Sequence, residues 1–306
     1  MTGRDHIPVL LDESLTLLDA GRSGVYIDGT LGLAGHSREI LKRNPGARLV
    51  GFDRDEAALN EAQRRLSPYR NRIALYHADF RRLLEVEIDW ASVRGVFLDL
   101  GMSSFQLDDP ARGFSHQLDG PLDMRMDRRQ HLDAARVIDK YPEARLADLF
   151  RNYGELRPAA KLARMIASRR RMTKIESTVQ LRTIVEEVCR WIPQKGKTHP
   201  AAKVFQALRI EVNEELAGLG EFLESVIARL PEDGRLAVIS FHSLEDRIVK
   251  HTFLQAARPD QETGRRPAQV ELLTKHPVVP GEAEISRNSR SRSAKLRAVR
   301  KQAHGS

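Results

Sequence analysis

A single cysteine, Cys189, stands among the 306 residues, so no intramolecular disulfide can form. No apolar stretch approaches the roughly 20 residues needed to cross a bilayer, which excludes a membrane-spanning role. The start of the chain does not combine a basic segment, a long apolar run and a small-residue cleavage site, and the cytoplasm is the expected address. Histidines and acids nowhere fall at a recognisable metal-ligand spacing, so no metal is expected. Internal repeats are absent, and so is low complexity beyond a mild Arg/Ser bias near the end. What is present is the mixture of a soluble globular protein, 41% hydrophobic and 30% charged, long enough for one large domain or two ordinary ones. The net charge is +8, and 39 of the 50 basic residues are arginine. Planar guanidinium groups suit bidentate phosphate contacts and stacking on bases, so an anionic partner is favoured.

The first hundred residues alternate strand and helix. Val25–Asp28, Arg48–Asp53, Arg72–Tyr76 and Gly95–Asp99 are short apolar runs, each meeting an acid at or just beyond its end: Asp28, Asp53, Asp79 and Asp99. Helical patterns lie between them, such as Glu56–Leu66 with Ala57, Leu59, Ala62 and Leu66 able to line one face. This predicts a doubly wound parallel α/β sheet. After Leu107 the apolar strands stop and helical patterns take over (Glu143–Phe150, Ala159–Ser168, Val179–Trp191), which predicts an inserted all-helical domain. Arg235–Phe241 restores a buried-looking strand, delivered by a crossover helix over Glu214–Leu230. The predicted division is 1–107, 108–205 and 206–306. Two basic runs contain no acid: residues 157–174 (Arg157, Lys161, Arg164, Arg169, Arg170, Arg171, Lys174) and the tail 285–301 (Arg287, Arg290, Arg292, Lys295, Arg297, Arg300, Lys301). Both are expected to grip nucleic-acid phosphates.

Ligands of doubly wound sheets sit over the carboxyl ends of the strands, where the acids and the turn Asp28–His36 converge. Its glycines (Gly29, Gly32, Gly35) are three apart, unlike the Gly-x-Gly-x-x-Gly dinucleotide fingerprint. Asp28 at the mouth would repel a pyrophosphate and attract a ligand carrying an ammonium and a sulfonium, as S-adenosylmethionine does. Asp53 suits ribose hydroxyls, Asp79 an adenine amino group, Phe80 the adenine ring, and Asp99 the reacting end. A nicotinamide oxidoreductase shares the sheet and Asp53, but the glycine spacing and Asp28 disfavour it.

Several motifs together resemble the bacterial small-subunit ribosomal RNA methyltransferase H family. They are His6–Leu11, Asp28–Ser37, Asp53-Arg54-Asp55, Asp99–Leu107, Arg112–Ser115, Asp119–Asp127, His199–Ile210 and Ser240–Arg247, and they span almost the whole chain. The resemblance implies a Rossmann-like class I methyltransferase sheet with a helical insertion. It also implies S-adenosylmethionine-dependent methylation of the N4 amine of a decoding-centre cytosine in small-subunit rRNA, on naked rRNA or the small ribosomal subunit. Carried over position by position, Ala34, Gly35, His36, Asp53, Phe80, Asp99 and Gln106 would contact the cofactor. Ala34 stands where the family usually has a second glycine, and Asn288-Ser289-Arg290 replaces the more usual Asn-Pro-Arg. A noncatalytic ribosome-assembly factor with a retained cofactor pocket is the alternative, supported only by Ala34. For an enzyme, Asp99, Ser103 and Ser104 are candidate acceptors around the amino hydrogens. Phe241 would then stack on the target base, with His242 orienting it or relaying a proton.

Overall fold

In the computed structural model, which describes residues 8–191, 199–259 and 268–303, the apolar runs form one seven-stranded sheet. His6 and Ile7 of the first motif lie outside the described residues. The strands are β1 (Gly24–Asp28), β2 (Ala47–Asp53), β3 (Ile73–His77), β4 (Val93–Asp99), β5 (Arg235–Ser240), β6 (Val270–Leu272) and β7 (Lys295–Lys301). Their order is β3-β2-β1-β4-β5-β7-β6. β1 to β5 pair in parallel, and β7 runs antiparallel to both its neighbours. The chain turns back between β1 and β4, the switch point over which ligands of such sheets bind, so the ends of these two strands, Asp28 and Asp99, frame the crevice. This is the class I methyltransferase sheet that the resemblance implies.

The helices are α1 (Leu11–Leu17), α2 (Gly35–Arg43) and α3 (Glu56–Arg65), then α4 (Ser104–Asp108), α5 (Ala134–Lys140), α6 (Glu143–Asn152), α7 (Ala159–Arg169), α8 (Thr178–Cys189) and α9 (Pro200–Asn213). After them come α10 (Leu219–Arg229), α11 (Ser243–Ala256) and α12 (Glu282–Arg287). Two compact units result, residues 1–101 with 218–306, and residues 102–217. In the first unit, alternation sorts each strand between two cores, as expected of a sheet covered on both faces. Ile27, Val96, Leu98 and Val238 pack with Phe222, Leu223, Val249 and Phe253 of α10 and α11. Tyr26, Phe97, Ala237 and Ile239 pack with Leu15, Ile40, Leu41 and Ala62 of α1, α2 and α3.

The second unit has its own core, in which Leu146, Phe150, Leu162, Ile166, Leu181 and Val185 meet Val204, Phe205 and Leu208 of α9. Asn213 at the end of α9 accepts from Met126 N–H at 2.8 Å and donates to the Met124 carbonyl at 2.7 Å, fixing the Asp119–Asp127 motif. α9 belongs to this unit because its apolar stripe faces that core, so the boundaries fall at Gly101 and Ala217 rather than at 107 and 205. The helical run 202–230 breaks at Glu214, which adopts φ 49°, and the crossover helix is α10 alone.

The two basic runs meet acids brought from elsewhere in the chain. The tail's second half is the interior strand β7, whose Leu296–Val299 are buried. Arg297 Nε lies 2.7 Å from Asp246 Oδ1, Lys295 Nζ lies 3.1 Å from Asp246 Oδ2, and Lys301 Nζ donates to the Ile227 carbonyl at 2.8 Å. Those cations are compensated within the protein, as buried charges must be. In residues 157–174, acids arrive from elsewhere in the chain: Glu187 pairs with Arg169, Glu143 with Arg164 and Glu176 with Lys174. Arg170 donates to the carbonyls of Ile138 and Tyr141. No helix among the described residues is long and apolar enough to cross a membrane.

Candidate active site

The turn after β1 is built by close approach. At Gly29 a Cβ would lie 2.5 Å from Leu98 Cδ2 and 2.9 Å from Phe80 Cβ, so only glycine fits. Asp28 is buried, its Oδ2 accepting from Ser37 Oγ at 2.6 Å and its Oδ1 from Thr30 N–H at 3.1 Å. It therefore ties the turn to α2 instead of standing open at the mouth, and burial pushes its carboxyl up to about 6 against those hydrogen bonds. Asp53 is half-buried, with Oδ2 accepting from Gly32 N–H at 2.7 Å and Oδ1 from Asp55 N–H at 2.8 Å. Each oxygen keeps a second lone pair, which suits ribose hydroxyls. Burial pushes this carboxyl too up to about 6.

Asp99 differs from both. Its N–H donates to Thr30 Oγ1 at 2.5 Å, but its Oδ1 is shut off from solvent with no hydrogen-bond partner. Burial, reinforced by the negative charges of Asp28 and Glu245, pushes its carboxyl up to about 8. A proton therefore resides on Asp99 at neutral pH. Leu100 N–H bonds to the Ile239 carbonyl at 2.9 Å, setting Asp99-Leu100-Gly101 beside the end of β5. Gly101 has φ 99°, a region that favours glycine, and the Phe241 ring lies 3.5 Å from where a Cβ would stand.

At the end of β5, His242 caps α11, its Nδ1 accepting from Glu245 N–H at 3.3 Å. Glu245 is 1% exposed; its Oε2 accepts from the N–H groups of Phe241 (2.9 Å) and His242 (3.3 Å), and its Oε1 lies 3.2 Å from His242 Nε2. Both imidazole nitrogens thus lie beside Glu245, and His242 caps and positions this turn. His242→Asn, which keeps a capping acceptor, is expected to retain stability and most methyl transfer, whereas His242→Ala costs about 1 kcal/mol. Thermal midpoints and turnover of the two variants check this; a stable His242→Asn protein with activity lost would return chemistry to the imidazole.

Of the remaining predicted site residues, Asp79, Phe80, His36, Ser103 and Gln106 have partners within the protein. Asp79 holds Arg81 through both oxygens, Oδ1 to Nε at 2.7 Å and Oδ2 to Nη2 at 2.8 Å. Burial works to raise its pKa, but the hydrogen bonds of Arg81 and the charges of Arg54 and Arg81 hold it below the usual carboxylate range. It organises the loop after β3. Phe80 is buried edge-on against Phe222 at 4.8 Å, with the Arg81 guanidinium 5.5 Å from its ring centre, so it is core beneath the turn. Buried His36 sets Nε2 2.9 Å from the Val9 carbonyl and its ring 4.5 Å from Phe97. Gly35 is required because a Cβ would lie 2.5 Å from Pro8. Ala34, buried at φ 60°, holds a left-handed conformation that a glycine would adopt without strain. Ser103, Ser104 and Gln106 belong to the second unit. Ser103 and Gln106 bond each other as the capping box of α4, which fixes where both side chains stand and uses neither the Ser103 hydroxyl hydrogen nor the Gln106 amide hydrogens, so the box leaves both groups able to donate.

Within the first unit the structure therefore brings together Asp28, Asp53, Asp99, Phe241 and His242, and adds Thr30, Ser37 and Glu245, which the sequence reading passed over. His242-Ser243-Leu244-Glu245 carries the cap-x-x-Glu spacing that signals a capping box, with histidine where serine or threonine is usual. Raised, mutually repelling carboxyls around an unpartnered oxygen suit a ligand that brings positive charge, and the residues present fit S-adenosylmethionine on that ground.

A family model described as the MraW methylase family matches residues 3–302. The ribosomal RNA small subunit methyltransferase H of Carboxydothermus hydrogenoformans is 46% identical over 308 residues, covering 97% of each chain. The protein of the same name from Clostridium botulinum (strain Loch Maree) is 44% identical over 97% of this chain and 98% of its own. Among solved structures, a putative rRNA methylase from Clostridium thermocellum aligns with TM-score 0.45 and 11% identity over 96% of this chain and 98% of its own.

Proposed function

The chain belongs to the MraW methylase family, and from that premise we propose that it methylates the exocyclic N4 amine of a decoding-centre cytosine in small-subunit ribosomal RNA. The relatives' names supply the rRNA of the small subunit. The observation that carries the chemistry is the buried, unpartnered oxygen of Asp99 at the switch point of the sheet. S-adenosylmethionine supplies an electrophilic methyl group on a positively charged sulfur.

The protein's own residues perform the rest. Asp53 accepts hydrogen bonds from ribose hydroxyls, and Asp28 keeps the glycine turn closed over α2. Positive charge entering the crevice favours the ionised form of Asp99, which then becomes an acceptor for the amino hydrogens. The cytosine amine is a weak nucleophile because its lone pair is delocalised into the ring. A carboxylate oxygen drawing on an N–H localises that pair and takes the surplus proton after the new N–C bond forms. Phe241 offers an aromatic face beside the same strand ends for an unstacked base.

Incubating the protein with methyl-labelled donor and either small ribosomal subunits or naked rRNA, then digesting to nucleosides, tests this reading. N4-methylcytidine is expected. Label in another nucleoside overturns the base assignment, and donor binding without label on either substrate points to the noncatalytic assembly factor.

A further inference from the structure

The arginine-rich segment that precedes β7 has its own place in the fold. β7 is antiparallel to β5, with Lys295 opposite Ser240, so the residues before Lys295 emerge at the end of the sheet where β1, β2, β4 and β5 finish. That is the edge bearing Asp28, Asp53 and Asp99. Contacts fix the segment there: Glu284 of α12 accepts from Leu10 N–H at 2.9 Å, and Val278 pairs with Leu296. Residues 8–10 in turn hold the start of α2, through Pro8 against Gly35 and the Val9 carbonyl on His36. The glycine turn, residues 8–10 and α12 are therefore one connected rim.

Arg287, Arg290 and Arg292 are exposed on this rim, with Ser289 and Ser293 exposed between and beside them. No acid occurs from residue 285 to 301. Of the two acids in the first turn of α12, Glu284 is committed to Leu10. The rest of the basic tail is consumed by the sheet, where Asp246 holds Lys295 and Arg297 and Glu271 holds Arg300. Arg287, Arg290 and Arg292 form a short, exposed cationic strip beside a crevice lined with acids. Such a strip gains nothing from the donor's sulfonium and ammonium charges, but it complements the phosphates of a polynucleotide whose base is presented to that crevice.

We propose that Arg287, Arg290 and Arg292 are the phosphate-binding rim for the acceptor RNA strand, seating the nucleotides that flank the target base. The surface rests on the functional reading above for its choice of RNA, and its test is binding rather than methylation. The three guanidinium groups each release counterions when they meet a phosphate, so affinity falls with salt in proportion to the contacts made.

The experiment compares wild-type protein, R287Q/R290Q/R292Q, and a control with the same charge loss, R22Q/R48Q/R229Q. Arg22, Arg48 and Arg229 are exposed at the opposite end of the sheet, before or at the starts of β1, β2 and β5. Binding to naked small-subunit rRNA is followed from about 50 to 200 mM salt. The rim variant is expected to bind tenfold or more weakly at the lowest salt, its log-log salt slope shallower by about 2. Donor affinity and thermal midpoint stay at wild-type values, and the control keeps most of the wild-type slope. Equal losses in the two triple variants, or an unchanged slope in the rim variant, overturn the proposal. Loss confined to the rim variant in a protein that methylates no RNA would uphold the rim and refute the functional reading.

Discussion

Asp99→Asn is expected to lower methyl transfer about 10²–10³-fold, the range seen when one preorganised polar group at a reacting centre is lost, while raising the thermal midpoint of the ligand-free protein. The two effects share one cause. In the folded protein the Asp99 carboxyl titrates near 8, against 3.8 for the unhindered group. From about pH 4 to 8 the folded chain keeps a proton that the unfolded chain has lost, so stability falls as pH rises through that window and levels off above it. Asparagine removes this dependence. At pH 7, about three pH units above the unfolded value, the gain amounts to about 4 kcal/mol, a shift of several degrees. What it removes from function is the charge that donor binding creates and the acceptor that localises the amine lone pair. Donor affinity should drop less than turnover, and affinity for the uncharged thioether product should barely change. Equal losses of turnover and donor affinity, or a lowered midpoint, would contradict the role given to Asp99.

The second large effect is in the pH dependence of donor binding. Burial raises Asp28 and Asp53 to about 6 and Asp99 to about 8, and a cation favours the ionised form of each. Binding must then release protons, and affinity must climb with pH. Below about 8 it should rise on the order of tenfold per pH unit for each proton released, because every pKa unit is worth 1.36 kcal/mol. The donor's own amino group loses its proton near 7.7–8.0 in the unperturbed case, so the rise should end and reverse there. Asp99→Asn should flatten the limb between 6 and 8 and leave the steeper loss below 6. Titrations from pH 5.5 to 8.5 follow both limbs, and a wild-type profile flat across that range would refute the picture of a proton-loaded crevice.

Much of this was legible in the chain alone. An apolar run ending in an acid, four times over, fixes parallel strands and gathers the acids at one edge, because strand direction and side-chain alternation are local properties. The direction of each carboxylate is not local. Asp79 turned to Arg81, Asp28 turned to Ser37, and the Ser103–Gln106 capping box all satisfy buried or terminal polar groups near their own position. Sequence spacing cannot tell such a bond from a ligand contact. β7 escaped notice because Lys295, Arg297, Arg300 and Lys301 mask a buried strand, and their compensation by Asp246 and Glu271 is visible only once distant residues meet. Glu245 was hidden for a related reason: its neighbour across the strand ends, Asp99, lies far away in sequence.

The most direct measurement is calorimetry of donor binding at pH 7 in two buffers of different ionisation enthalpy, run on wild-type protein and on Asp99→Asn. Close to one proton should leave the wild-type protein for each donor bound, and close to none should leave the variant or follow binding of the thioether product. Donor binding by the wild-type protein with no proton released would contradict the central claim, that the strand ends hold a protonated acid which a cationic methyl donor ionises.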